Sequence, residues 1–122
     1  MEADAMAPPP LMDVAVLDAL LQYGPPSFLA KLVDVYLETT GIHVGNAEKS
    51  AQTDEWETLV FSAHSLKSSA GNLGLPRMLD TVRKLELAAR SKNRQEVDTQ
   101  VGGLRQTWVD SCAALVEYRA KL

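Results

Sequence analysis

Three observations predict an all-α fold, an antiparallel up-and-down four-helix bundle with a short additional N-terminal helix. Apolar residues recur at three- and four-residue steps through most of the chain. Helix stop signals interrupt that pattern and are followed at once by new starts. No alternating run of β-branched residues is bounded by hairpin turns. The 122 residues suffice for one core, and a composition 46% hydrophobic and 23% charged fits a folded globular chain.

Residues 1–10 carry three consecutive prolines and read as a flexible tail or linker, with residues 11–122 as the bundle domain. Asp13 caps a first short helix with Val14, Leu17, Leu20 and Leu21 on its apolar side, stopped by Gly24 and Pro25. A second, long helix starts at Pro26 or Ser27, with Leu29, Leu32, Val33, Tyr36, Leu37, Thr40, Val44, Ala47 and Ala51 on one side. Gly41 and Gly45 each weaken it by about 1 kcal/mol relative to alanine, so a kink or early stop is expected there. Asp54 followed by Glu57 resembles a capping box opening a third helix, striped by Trp56, Leu59, Ala63, Leu66, Ala70 and Leu73 and running to about Gly74. Leu75 and Pro76 restart the chain into a fourth helix with Leu79, Val82, Leu85 and Ala89 buried. After a break at residues 91–93, the last helix carries Val97, Val101, Leu104, Trp108, Ser111, Leu115, Tyr118 and Leu122 in the pattern of a bundle seam.

Composition excludes several function classes. Twelve Lys and Arg against sixteen Asp and Glu leave a formal charge of -4, which disfavours a grip on nucleic-acid phosphates. One cysteine, Cys112, makes no internal disulfide, and with two histidines it does not supply an ordinary structural zinc site, so neither metal nor cofactor is expected. No stretch approaches the roughly 20 apolar residues of a membrane span, and the N-terminus lacks the regions of a signal peptide, so no membrane contact and a cytoplasmic location are expected.

The chemistry concentrates on the third helix. His64, Ser68 and Gly71 stand at i, i+4 and i+7, on a flank separate from the apolar stripe, so the imidazole is followed along its own face by a small side chain and then by none. Lys67, three residues on, brings a cation toward the ring. A neutral imidazole is a nucleophile near pH 7 and accepts a phosphoryl group as a labile adduct. Transfer between proteins requires an accessible ring, a nearby cation for the phosphoryl oxygens and clearance for the donor. Lys67, Ser68 and Gly71 meet the last two needs.

The run Ala63-His64-Ser65-Leu66-Lys67-Ser68-Ser69-Ala70-Gly71-Asn72-Leu73-Gly74 resembles the signature of histidine-containing phosphotransfer (HPt) domains of two-component phosphorelays. That family's helix carries an apolar residue two after the histidine, lysine at three, glycine at four, a small residue at seven and glycine at ten. Leu66, Lys67, Gly71 and Gly74 match, and Ser68 replaces the commonest glycine. The resemblance extends over about residues 11–122, including Asp54-Glu55-Trp56 and Lys84-Leu85-Glu86, with only the His64 region diagnostic.

The resemblance implies that His64 receives a phosphoryl group from an aspartyl phosphate on a response-regulator receiver domain and passes it to another receiver. Any magnesium ion belongs to the receiver. The chain is then a phosphoryl carrier without its own ATP or kinase site, working as a monomer with receivers or with a hybrid sensor histidine kinase. The alternative is a helical interaction module that binds a partner through the His64 face without chemistry. A hydrolase using His64 as general base lacks a supporting triad or metal pocket.

Individual residues carry plainer readings beside these. Lys67 either serves the reaction or simply solvates its face or pairs with an acid. Ser68 either crowds the partner or hydrogen-bonds a phosphoryl oxygen, and tolerance of Ser68→Gly is expected. Phe61, one turn before His64, is either a docking anchor or packed on the second helix. Asn72 caps the helix end or bonds backbone near the site, Gly74 ends the helix, and His43 is read as a solvated bystander. Arg77, Arg83 and Lys84 read as a solvated face.

Overall fold

Three-residue breaks leave consecutive helices no room to do anything but reverse and pack antiparallel. In the computed structural model, which describes residues 7–122, five helices follow in order: α1 (Val14–Leu20), α2 (Pro26–Gln52), α3 (Trp56–Asn72), α4 (Pro76–Arg90) and α5 (Arg94–Ala120). Each of α2 to α5 packs on its sequence neighbour and α5 closes back on α2, which makes the four-helix bundle. The residues aligned along the predicted stripes meet inside, among them Leu29, Val33, Leu59, Leu66, Val82 and Leu104, all fully buried. Among the described residues no strand occurs and no helix is long and apolar enough to cross a membrane.

The three reversals share one mechanism. Asp54, Gly74 and Lys92 each adopt positive φ just past a helix end. In each case the following N–H bonds back to a carbonyl five residues earlier: Glu55 to Ser50 at 3.0 Å, Leu75 to Ala70 at 3.0 Å and Asn93 to Ala88 at 2.9 Å. This is the Schellman closure, in which a left-handed residue lets the last carbonyls of a helix find donors. Asp54 therefore terminates α2 and does not cap α3, correcting the capping-box expectation. Glu55 occupies the N-cap of α3 without a side-chain bond, and Asp54 instead pairs with Arg94 of α5. The caps expected at Asp13 and the starts expected at Pro26 and Pro76 are present. Gly41 and Gly45 do not interrupt α2, because tertiary packing on α3 and α5 outweighs their propensity cost.

Helices α2 and α5 are 27 residues long against 17 and 15 for α3 and α4, about 40 Å against about 25 Å. Packed against the α3–α4 reversal, α1 covers this end of the bundle. Leu17 is fully buried, Asp13 N–H donates to the Gly74 carbonyl at 2.8 Å, and Tyr118 Oη donates to Asp18 at 2.8 Å. Arg105 with Glu48 and Arg119 with Asp34 join α5 to α2 along their exposed edge, and Trp108 Nε1 donates to Thr40 Oγ1 at 2.8 Å beneath them. The Pro9 and Pro10 carbonyls accept from Arg77 Nε and N–H at 2.8 and 3.1 Å, so Arg77 holds the segment before α1 and is not merely a solvated charge. The first six residues of the expected tail lie outside the described residues.

Candidate functional site

Helix α3 buries Leu59, Ala63, Leu66 and Ala70 and thereby fixes what its flanks present. His64 follows Ala63 at mid-helix, and its side chain is 57% exposed. Its Nδ1 stands 3.2 Å from Oε2 of Glu86 on α4. An ionised carboxylate only accepts hydrogen bonds, so Nδ1 carries the hydrogen, and in the neutral ring the lone pair belongs to Nε2. The packing of α4 on α3 thus selects the tautomer and leaves Nε2 as the unprotonated nitrogen of a mostly exposed ring.

Glu86 is the hub of the cluster. Only 4% exposed, it accepts from Lys67 Nζ at 2.6 Å through Oε1 and from Arg90 Nη2 at 2.7 Å through Oε2, besides His64. Burial pushes its pKa up, but the hydrogen bonds from Lys67, Arg90 and His64, with the nearby Lys67 charge, outweigh that and hold it down at about 2. Glu86 is therefore a fixed anion at any physiological pH. Two cations around one carboxylate leave a net positive charge beside the exposed ring, which favours an incoming dianion.

The remaining sequence-predicted residues lie on the open side. Ser68 and Gly71 are exposed, and a Cβ added at Gly71 meets nothing within 4 Å, so its missing side chain serves no packing within this chain. Gly74 is structural: at φ 65° its added Cβ lies 2.7 Å from Val16 Cβ and 3.0 Å from the Asp13 carbonyl. Phe61 is 65% exposed, and its ring meets His43 of α2 edge-on at 6.2 Å between centroids, so part of it packs on the second helix. His43 is accordingly half-buried rather than a solvated bystander. Asn72, exposed at the end of α3, lines a shallow groove of about 400 Å³ with Phe28 and Val35 of α2. Lys67 is paired with an acid, as its plainer reading held, yet that acid is the one bonded to His64.

Glu86 and Arg90 are the members of the cluster not singled out from sequence. Their signal is a charged residue at a stripe position: Glu86 stands four residues after Val82 and three before Ala89, both buried, with Arg90 four further on. Among the described residues no group of three or more His, Cys, Asp or Glu side chains is arranged to hold a metal ion.

The site presents a solvent-facing histidine bonded to a buried carboxylate at the middle of an antiparallel bundle, and the comparisons with known proteins supply the class to which such a bundle belongs. Residues 31–117 match the Hpt domain family, and the chain belongs to it. Hpt domains are phosphoryl-carrier modules, not kinases, that serve as intermediates in phosphorelays with receiver domains. In structure the chain is similar to histidine-containing phosphotransfer protein B (HptB) from Pseudomonas aeruginosa PAO1, with a TM-score of 0.85 at 18% identity, covering 93% of this chain and 97% of that one. At this identity the likeness concerns the fold. No curated protein matches the chain in sequence.

Proposed function

We propose that His64 is the phosphoryl acceptor and donor of this Hpt domain, exchanging with the aspartates of two receiver domains. The observation that carries the reading is the Nδ1–Glu86 hydrogen bond on an exposed ring, which leaves the Nε2 lone pair free at the surface. In the loading step Nε2 attacks the phosphorus of an aspartyl phosphate in line. The N–P bond forms as the P–O bond to the acyl oxygen breaks, and the electron pair leaves with the aspartate carboxylate. The Nδ1 proton stays in place, shared with Glu86, whose negative charge stabilises the positive charge that develops on the ring. Passing the group to a second receiver is the same step reversed.

Lys67 contacts Glu86 and keeps further N–H donors for phosphoryl oxygens. Magnesium, where such transfer uses it, is assigned to the receiver. Access on the α2 side is lined by exposed Phe28, Val35 and Ile42, spaced seven residues apart along one face of α2, with Phe61 beside them on α3. Apolar side chains of this kind, with Ser68, Gly71 and Asn72 offering clearance, suit docking of a folded partner by a monomeric carrier. With this role the chain is assigned to the cytoplasm, where its one thiol, Cys112, stays reduced.

The test is incubation with phosphorylated receivers of the source organism, with His64→Gln as control. Label should pass to the wild-type chain and mass spectrometry should find it on His64. Binding without label transfer from any receiver would refute the carrier reading in favour of a pure interaction module.

A further inference from the structure

Ser68 stands one turn after His64, on the exposed flank of α3. On a helix of about 100° per residue, Lys67 lies about 60° to one side of His64 and Ser68 about 40° to the other. The Lys67 side is the one that faces α4, since Lys67 and His64 Nδ1 both reach Glu86. Nε2 is the ring nitrogen that does not bond Glu86 of α4, the side chain that carries it is mostly exposed, and Ser68 stands on the flank of the helix away from α4. Helical side chains lean toward the N-terminus, so the Ser68 hydroxymethyl leans back over the turn that carries His64.

The hydroxyl is also uncommitted. Serines inside helices commonly donate to the carbonyl four residues back, and Ser50, Ser69 and Ser111 do so at 2.7, 3.1 and 2.7 Å. Ser68 makes no such bond to the His64 carbonyl, and among the described residues its exposed hydroxyl has no protein partner. A donor one turn from the phosphorylation site, facing solvent and bonded to nothing in the unmodified protein, has its natural acceptor in the modified one.

We infer that the Ser68 hydroxyl donates a hydrogen bond to a phosphoryl oxygen of phosphorylated His64 and thereby lengthens the lifetime of the phosphohistidine. The inference rests on His64 being the acceptor. Spontaneous loss breaks the N–P bond: a water oxygen bonds phosphorus, the electron pair of the broken bond returns to Nε2 to give the neutral imidazole that still carries its Nδ1 hydrogen, and both water protons leave with the inorganic phosphate, which exchanges them with solvent. A hydrogen bond from Ser68 to a phosphoryl oxygen is charge-assisted in the adduct and is given up as the phosphoryl group departs with water, so it favours the intact phosphohistidine over hydrolysis. Lys67 acts from the α4 side, and Ser68 supplies a second, uncharged donor from the other.

The experiment loads the full chain with potassium phosphoramidate, a small donor that needs no docking partner, and follows decay of the phosphohistidine at pH 7 by phosphorus NMR. Ser68→Ala and Ser68→Gly should still be loaded, keep the wild-type circular-dichroism spectrum and lose the group roughly fivefold faster than wild type, as expected for one solvated hydrogen bond to a charged acceptor. Decay of Ser68→Ala at the wild-type rate overturns the hydroxyl's role. Faster decay in Ser68→Gly alone also overturns it, because bulk and not the hydroxyl would then control access of water. Wild-type protein that takes no label on His64, under conditions that load free imidazole, overturns the carrier reading and this inference together.

Discussion

Glu86 offers the sharpest test, because one carboxylate both stabilises the bundle and bonds the His64 ring proposed to carry the phosphoryl group. Its pKa falls from the usual 4.5 to about 2. At about 1.4 kcal/mol per pH unit this corresponds to an upper bound on the order of 3 kcal/mol of folding stability at neutral pH. Lys67 and Arg90 are partly in water, and screening brings the expected value nearer to about 2 kcal/mol. Because the folded-state pKa is depressed, the stabilisation is fully present above pH 4.5 and is lost as the pH falls through about 2.

Glu86→Gln keeps an oxygen that can accept from His64 Nδ1 but removes the charge. It should lower the melting temperature at pH 7 by roughly 8 °C, at about 4 °C per kcal/mol for a domain of this size. The difference from wild type should shrink steadily between pH 5 and pH 2. Glu86→Ala, which removes the acceptor altogether, should in addition slow phosphoryl transfer at least tenfold, with Glu86→Gln less affected. Chemical denaturation across pH and single-turnover transfer from a phosphorylated receiver read the two effects separately. A stability gap constant from pH 7 to pH 2 would refute the electrostatic account, and unchanged transfer in Glu86→Ala would refute the orienting role.

Other substitutions separate the glycines and the aromatic by function. Gly71→Leu should leave the melting temperature within a few degrees of wild type, since a Cβ there meets open space, while transfer from a receiver drops by roughly tenfold or more through lost clearance. Gly74→Ala should behave in the opposite way, costing on the order of 2 kcal/mol of stability through positive φ and the contact with Val16, with loading of His64 by a small phosphoryl donor unchanged under conditions where the variant is folded. Phe61→Ala should weaken receiver binding by roughly tenfold in calorimetric titration with little change in thermal stability, because its ring is mostly exposed. A Phe61→Ala protein that binds normally and melts early would assign the ring to packing instead.

The helices and their order were legible in the sequence because a 3.6-residue period and proline starts are local signals. Leu59, Ala63, Leu66 and Ala70 occupy the positions their spacing predicts, and Pro26 and Pro76 open α2 and α4. The turns were less legible. Gly74 advertises a left-handed residue, whereas Asp54 and Lys92 adopt the same conformation with side chains that do not demand it. Asp54 has the look of a helix opening in sequence, whereas its backbone closes α2. The half-burial of His43 is likewise absent from local sequence, since it depends on where Phe61 of the neighbouring helix comes to rest.

The chain's own order of residues determined that His64, Lys67, Ser68 and Gly71 share one flank of a helix, because that follows from helical geometry within a few turns. Only the tertiary structure decided that Glu86, twenty-two positions away in sequence, comes within 3.2 Å of the imidazole and within 2.6 Å of the lysine. That meeting depends on the axial register of α4 against α3, which is set by the packing of Ala63, Leu66, Val82 and Leu85 and by the closure of the turn at Gly74. A stripe pattern specifies which face of each helix is buried but not how far one helix slides along the other, and the tautomer of His64 is fixed by that sliding.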